Sequence, residues 1–364
     1  MTAEAPAGSA NLVVSAACLQ DYARDRLAAA REFPRIKLLH RVFRLPRIDL
    51  TVWFASERFA QLCEERLIQR QGAEAAKARA EIYAMDAQLE GWAPPAKWDE
   101  RTGFSSREFE QILAADGRRG FYHHDAPSWQ VYETRTGFGV QCLPNALGVP
   151  PWELGSPLRL FLHWAYAAAG LRLTHAATLG YDGQGVLIVG PSGSGKSATT
   201  LAGLLHGLDS AGDDYVLVED DGRAVTAHAL FRPLKQDRDW LLRAGAAPEA
   251  VVPARSNWQG KIELDAEEIT GRPLAGRMEI GALLIPEVAR ATHTSFEKVA
   301  AQGAALALAP SAVLQLPGDG TEGFRFFARL AKRLPAFRAR LSQDPAEIAA
   351  AIASFLAQGA WHAG

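Results

Sequence analysis

Cysteine is scarce and odd in number: Cys18, Cys63 and Cys142 are the chain's three, and they lie far apart. Three scattered cysteines leave no room for a disulfide framework or a thiolate zinc cluster, and they suit a reducing compartment. All three are expected to be packing residues. Charge of one sign is also lacking, with 39 Lys and Arg against 41 Asp and Glu and a net charge of −2. No basic field is available for nucleic acid or an anionic membrane surface. No apolar run approaches the ~20 residues that a bilayer span needs. The N-terminus lacks the basic region and long apolar stretch of a signal peptide. A cytosolic protein without nucleic-acid or membrane partners is expected. Internal repeats are missing, and low complexity is confined to Ala/Pro/Gly/Ser-rich residues 1–10, expected to be a disordered tail.

At 364 residues, 48% apolar and 22% charged, the chain is long for one core, and about two domains are expected. The stretch from Pro144 to Pro157, with Gly148, Pro150, Pro151 and Gly155, reads as a linker. An α+β N-terminal domain is expected over 11–150 and a second domain over 151–364. In the first, Ile48–Phe54 alternates as a strand and Ser56 to about Ile68 suits a helix. Ser105 with Glu108 is a capping box, and Gly117 a stop. Phe121–His124, Ser128–Glu133 and Phe138–Cys142 read as short strands. The Arg- and Lys-bearing stretch 68–82, interleaved with Glu and Ala, reads as a solvated helix face. His123 and His124 are adjacent on a strand and point to opposite faces, so one metal would not hold both.

After the linker, Leu158–Ala169 is an apolar helix ended by Gly170, Leu171–Leu179 a strand, and Tyr181–Gly185 a turn. Residues 190–197 then read Gly-Pro-Ser-Gly-Ser-Gly-Lys-Ser, a complete phosphate-binding loop. Val186–Val189 before it suits a buried strand, and Ala198–Leu205 after it a helix. Glycines at 190, 193 and 195 let consecutive N–H groups turn inward onto phosphate oxygens, and the helix start adds its dipole. The nucleotide-binding set is Gly190, Ser192, Gly193, Ser194, Gly195, Lys196, Ser197 and Ala198. Lys196 can reach the β- and γ-phosphates, and the Ser197 hydroxyl can ligate Mg²⁺.

Asp213 and Asp214 stand before the apolar strand Tyr215–Val218, seventeen residues after Lys196. One helix and a return turn bring the pair back to the phosphate end of the sheet. One acid could hold Mg²⁺ and the other could accept a hydroxyl proton. Asp220-Asp221-Gly222 is a turn into a strand over Ala224–Ala227. Ile280–Pro286 reads as a buried strand, and Phe324–Leu334 and Pro345–Leu356 as amphipathic helices. His175 lies on the strand before the loop strand, and by itself reads as a packed histidine. Arg232, Lys235 and Lys261 are basic residues that could steady a transferring phosphoryl group.

The stretch from His175 to Glu219 resembles the core of bacterial HPr kinase/phosphorylase, where a His, a strand turn, a phosphate-binding loop and an Asp pair occur in this order. The flanks PPWELGSPLRLFLHWAYAAAGLRLTHAATLG and FRFFARLAKRLPAFRARL are similar to HPr kinase-related proteins found with ribosomal-peptide maturation genes, some of which phosphorylate a serine at the tail of a lasso-peptide precursor. The resemblance spans about residues 150–358. It implies an α/β fold, with a mixed-sheet HPr kinase/PEP carboxykinase-like kinase domain beside a smaller α+β domain. It implies ATP and Mg²⁺ as cofactors and phosphoryl transfer to a serine hydroxyl of a peptide. Asp213 becomes the catalytic base, Lys196 the phosphate-binding cation and His175 a catalytic-site residue. Ser197 and Asp214 become the metal-associated residues. The N-terminal domain becomes a docking module, and a homo-oligomer is expected from the family. The chain departs from the HPr kinases at Ala198, where they carry Glu, and it has no clear counterpart of their Pro-Gly-Arg loop. A small-molecule hydroxyl kinase and an ATP-binding regulatory module are the alternatives.

Overall fold

The computed structural model describes residues 15–70, 75–89, 91–92, 105–123, 128–145, 151–254, 256–257, 259–313, 316–318 and 320–359. The tail 1–10, His124 and linker residues 146–150 lie outside them. The N-terminal elements are α1 (Ala16–Glu32), β1 (Leu39–Leu45), β2 (Ile48–Phe54), α2 (Glu57–Arg66), β3 (Ala78–Asp86), α3 (Ser106–Ala114), β4 (Arg118–His123), β5 (Ser128–Glu133) and β6 (Phe138–Leu143). Ser15, Ser56 and Ser105 cap the three helices by accepting backbone N–H bonds, and Ser105 and Glu108 close the expected capping box. The strands form one mixed sheet in the order β1-β2-β3-β6-β5-β4, parallel at β2–β3 and β3–β6.

Two local expectations fail here. Part of the stretch 68–82 is the central strand β3, not a helix face. Its buried Ala80, Ile82 and Ala84 face one core and Tyr83 and Met85 the other. Burial on both sides thus overrides the charges at its start. Cys18 is exposed on α1, whereas Cys63 and Cys142 are buried.

The remaining elements are α4 (Arg159–Ala168), β7 (Arg172–Thr174), β8 (Ala177–Tyr181), β9 (Gln184–Ile188), α5 (Lys196–Leu205), β10 (Val216–Asp220), β11 (Val225–His228), β12 (Pro233–Gln236), α6 (Arg238–Arg243), α7 (Pro248–Val251), β13 (Ile262–Asp265), α8 (Ala266–Thr270), β14 (Arg277–Ala291), β15 (Ser295–Val299), α9 (Ala301–Val313), α10 (Gly320–Arg333), β16 (Ala336–Ser342) and α11 (Pro345–Ala357). The fold is therefore α/β with mixed sheets. Asp182 and Gly183 both adopt positive φ, which makes the tight turn that pairs β8 with β9. β14 is the hub of the second sheet. Its first residues pair with β11, its middle runs parallel to β9, and its second half runs parallel to β16.

The expected continuous strand Leu171–Leu179 is broken. β7 pairs with β10 and β8 pairs with β9, so the chain bends between them at His175 and Ala176. α4 packs on the first sheet: Phe161 sits against Gly139, where an added Cβ would come within 2.7 Å of the Phe161 ring. Through α4 one core cluster joins Phe43, Leu50 and Ile82 of the first sheet to Leu173, Tyr215 and Leu217 of the second.

Candidate active site

Val186, Leu187, Ile188 and Val189 are buried, and the loop that leaves them carries Gly190, Gly193 and Gly195 at φ 145°, 80° and 105°. Those angles turn the backbone tightly into α5. Lys196 opens the helix. Its ammonium donates to the carbonyls of Gly190 (2.8 Å) and Pro191 (3.1 Å), so the charge is held in the mouth of the loop. Burial pushes its pKa down, and Lys261 adds to this against the pull of Asp213 and Asp214.

The acids arrive on a turn anchored to β8. Ala211 N–H donates to Thr178 Oγ1 (2.7 Å), and Thr178 N–H donates to Gly212 O (3.1 Å). Asp214 takes φ 71°, a left-handed conformation, and the two neighbouring carboxylates find different partners. Asp213, 2% exposed, accepts from Ser197 Oγ at 3.1 Å on Oδ1, while its buried Oδ2 has no hydrogen-bond partner among the described residues. Burial raises its carboxyl pKa, the Asp214 charge adds to this, and the Ser197 hydrogen bond and Lys196 oppose it. Asp214 lies 3.1 Å from His175 Nε2 and 3.2 Å from Lys235 Nζ. Burial alone would raise its pKa, but the His175 hydrogen bond and the charges of Lys235, His175 and Arg159 outweigh that and hold it well below the usual carboxylate range.

His175 reaches Asp214 because it occupies the bend between β7 and β8. Its ring also tilts against Tyr215, 5.5 Å between centroids. Tyr215 OH accepts from Arg159 Nη1 at 3.0 Å, and the Arg159 guanidinium lies over the Tyr215 ring. Lys235 comes from β12, whose partner β13 brings Glu263 to 3.8 Å.

These residues surround one cavity of about 590 Å³, within the usual range for a small-ligand site. Ser192, Gly193, Gly195, Lys196, Ser197 and Ala198 of the loop and helix start line it together with His175, Asp213 and Asp214. Gly190 and Ser194 shape the loop from behind and are not in the lining. Of the secondary basic candidates, Lys235 and Lys261 line the cavity. Arg232 does not, and it stands 3.9 Å from Asp265. Sequence reasoning missed Arg159, Trp240 and Arg243. An arginine inside the apolar run LRLFLHWAY was a signal for the first, whereas α6 carries none for the others. Five cationic side chains line the cavity against three carboxylates, which suits a polyanion such as a nucleoside triphosphate. For Mg²⁺ the fit is good. Ser197 Oγ and the orphaned Asp213 Oδ2 are hard oxygen donors on one side of the cavity, the donor type this cation takes.

No family model and no curated protein matches the chain. Among solved structures, the HPr(Ser) kinase/phosphatase from Coxiella burnetii aligns over 51% of this chain and 97% of its own, at 13% identity and a TM-score of 0.29. A likeness that distant bears no functional weight, so function rests on the residues of the cavity. Among the described residues no helix is long and apolar enough to cross a membrane.

Proposed function

We propose that this chain is an ATP-dependent kinase that transfers the γ-phosphoryl group to a hydroxyl. The observation that supports it is a single cavity in which Lys196 and Ser197 of a phosphate-binding loop face two acids with opposed partners. The loop N–H groups and Lys196 hold the triphosphate. Mg²⁺, when bound at Ser197 and Asp213, supplies charge neutralisation on the phosphate oxygens. Because Asp213 bonds to Ser197, the geometry favours exchanging the roles that the sequence suggested: Asp213 serves the metal side and Asp214 the acceptor side. Asp214, fixed by His175 and Lys235, orients the attacking hydroxyl and takes its proton as transfer completes. The acceptor oxygen forms a bond to Pγ, the bond from Pγ to the bridging oxygen breaks, and ADP leaves with that electron pair. Lys235 is placed to meet charge on the moving group.

A serine of a peptide, such as a ribosomal precursor, is the acceptor that the resemblance implies. A small hydroxylated molecule is the second reading, and the small-ligand size of the cavity, about 590 Å³, favours it. Intact-mass spectrometry of small peptides encoded beside the gene, incubated with the protein and Mg-ATP, tests the first. A phosphate-sized gain on serine that is lost with Lys196→Ala supports it. Failure of the protein to bind Mg-ATP would overturn the kinase reading itself, and binding without transfer to any acceptor would leave a nucleotide-dependent regulatory module.

A further inference from the structure

Arg159 opens α4 among apolar neighbours: Leu158, Leu160, Phe161 and Leu162 are all buried. Arg159 itself is only 9% exposed, yet it lines the nucleotide cavity. Its one hydrogen bond among the described residues runs from Nη1 to the Tyr215 hydroxyl, and its buried Nε has no partner there. The guanidinium forms no ion pair among the described residues, because the Asp214 carboxylate is taken by His175 and Lys235. The helix start adds to this. No side chain caps α4 and its first turn holds no acid, so a cation stands at the positive end of a helix dipole, where an anion is the favoured neighbour.

An arginine this deeply buried is normally paired with an anion. Burial alone would lower the Arg159 pKa, but Tyr215 and the charges of Glu153 and Asp214 outweigh it, so the group stays charged. Its planar fork matches a carboxylate with two parallel N–H bonds, and only one of its donors is committed to Tyr215. The cations of the cavity divide between its two ends. The Lys261 charge acts on Lys196 of the phosphate-binding loop, whereas Lys235 and Arg159 act on Asp214. Tyr215, which holds Arg159, directly follows Asp214 in the chain, and its ring tilts against His175. Arg159 therefore belongs to the acceptor end.

We infer that Arg159 is the carboxylate receptor of the acceptor end, so that the phosphoryl acceptor is a small hydroxy acid whose hydroxyl meets Asp214 while its carboxylate takes the open edge of the guanidinium. The inference rests on the kinase reading and names its acceptor class. The hydroxyl oxygen bonds to Pγ, the bond from Pγ to the bridging oxygen breaks, and ADP departs with that electron pair. The hydroxyl proton passes to Asp214, and the carboxylate on Arg159 is unchanged.

The test uses the full chain with Mg-ATP and four probes. L-serine and D-glycerate carry the carboxylate, and in serinol and glycerol a hydroxymethyl group replaces it. ADP release and the mass of each probe are followed. At least one acid is expected to gain a phosphate, with kcat/KM about tenfold or more above that of its counterpart, the scale of a hydrogen bond to a charged group. That comparison needs no variant, so it stands whether or not substitutions at position 159 fold. In Arg159→Met the KM for the acid is expected to rise by about the same factor, while Mg-ATP affinity changes far less. Arg159→Lys keeps the charge and loses the fork, and an intermediate KM is expected. Phosphorylation of none of the probes by a protein that binds Mg-ATP overturns the inference and leaves the kinase reading standing. Equal turnover of an acid and its counterpart does the same, as does a loss in Arg159→Met that falls on Mg-ATP affinity instead, which would make Arg159 a nucleotide-binding residue. Failure to bind Mg-ATP overturns both readings.

Discussion

Ser197 and Asp213 are joined by a 3.1 Å hydrogen bond from hydroxyl to carboxylate, which ties the first turn of α5 to the turn before β10. The bond satisfies only one Asp213 oxygen, and the other is buried without a partner among the described residues. A buried, half-satisfied anion destabilises the free protein. Asp213→Asn is therefore expected to abolish phosphoryl transfer while stabilising the ligand-free fold by about 1 kcal/mol. The sign with pH is definite. The folded-state pKa is raised, so the native state holds this proton more tightly than the unfolded chain does, and the penalty grows as pH rises from the ordinary carboxyl value, about 4, through the folded one. The advantage of Asp213→Asn should be absent in acid and full at neutral pH. Denaturant midpoints of both proteins across that range measure it. A less stable variant at neutral pH would contradict the orphaned-oxygen account.

Asp214 is organised by its neighbours and not by its own burial. Removing the Lys235 charge with Lys235→Met takes away the ammonium 3.2 Å from its carboxylate. Lys196 and the loop N–H groups remain in place. The expected result is a kcat lower by about 10²–10³-fold, the scale for losing one aligned electrostatic partner, with nucleotide affinity changed far less. His175→Asn removes the ring but retains a donor, and a smaller loss is expected. Single-turnover kinetics beside equilibrium nucleotide titration separates the two effects. A matched loss of affinity and rate in Lys235→Met would instead make Lys235 a triphosphate-binding residue.

Much of this site could be read along the chain, because its local parts obey short-range rules. The phosphate-binding loop, its flanking strand and helix, and the Ser105–Glu108 box depend on dihedral angles and on partners three or four residues away. The turn at Asp182-Gly183 is equally local. The rest depended on long-range pairing. Arg79 and Glu81 make β3 look solvated, whereas pairing to β2 and β6 makes it a central strand with a core packed on each face. His175 was placed on a continuous strand, but it lies where the chain changes partner from β10 to β9. That bend delivers the imidazole to Asp214. Arg159, 56 residues before Tyr215, could be joined to it only by tertiary packing.

Gly195 tests the loop itself. It is the N-terminal cap of α5 at φ 105°, and a Cβ there would lie 3.1 Å from Leu341 Cδ1 and 3.4 Å from Val288 Cγ2. Gly195→Ala meets both a disfavoured backbone conformation and a crowded wall. The left-handed cost alone is about 1–2 kcal/mol. The loop is expected to relax out of its phosphate-binding geometry, lowering Mg-ATP affinity by at least tenfold, with the global unfolding temperature only slightly reduced. Gly193→Ala, where no atom lies within 4 Å of the added carbon, carries only the backbone cost at φ 80° and should lose less. Calorimetric titration of both variants ranks them.

A last expectation concerns the joint between the two sheets. Glu219 on β10 accepts from Arg47 Nε (2.9 Å) and Lys77 Nζ (2.5 Å) of the N-terminal region, and its Oε2 lies 3.0 Å from His228 Nε2. Burial would raise its pKa, but the Lys77, Arg47 and His228 hydrogen bonds outweigh it and the net shift is downward. Arg47 and Lys77 are partly exposed, so solvent screens their share. Glu219→Gln should cost about 1–3 kcal/mol at neutral pH, the scale for hydrogen bonds to a charged group. Because the folded pKa is depressed, this stabilisation is complete above the unfolded carboxyl value, about 4, and is lost as pH falls through the folded one. The gap between wild type and variant should therefore close in acid. β10 begins two residues after Asp214, so loosening this joint should also blunt transfer without touching the phosphate-binding loop. Urea midpoints at neutral and acid pH, with activity measured on the same preparations, check both halves. A gap that persists unchanged in acid would show that the Glu219 charge is not what holds the two sheets together.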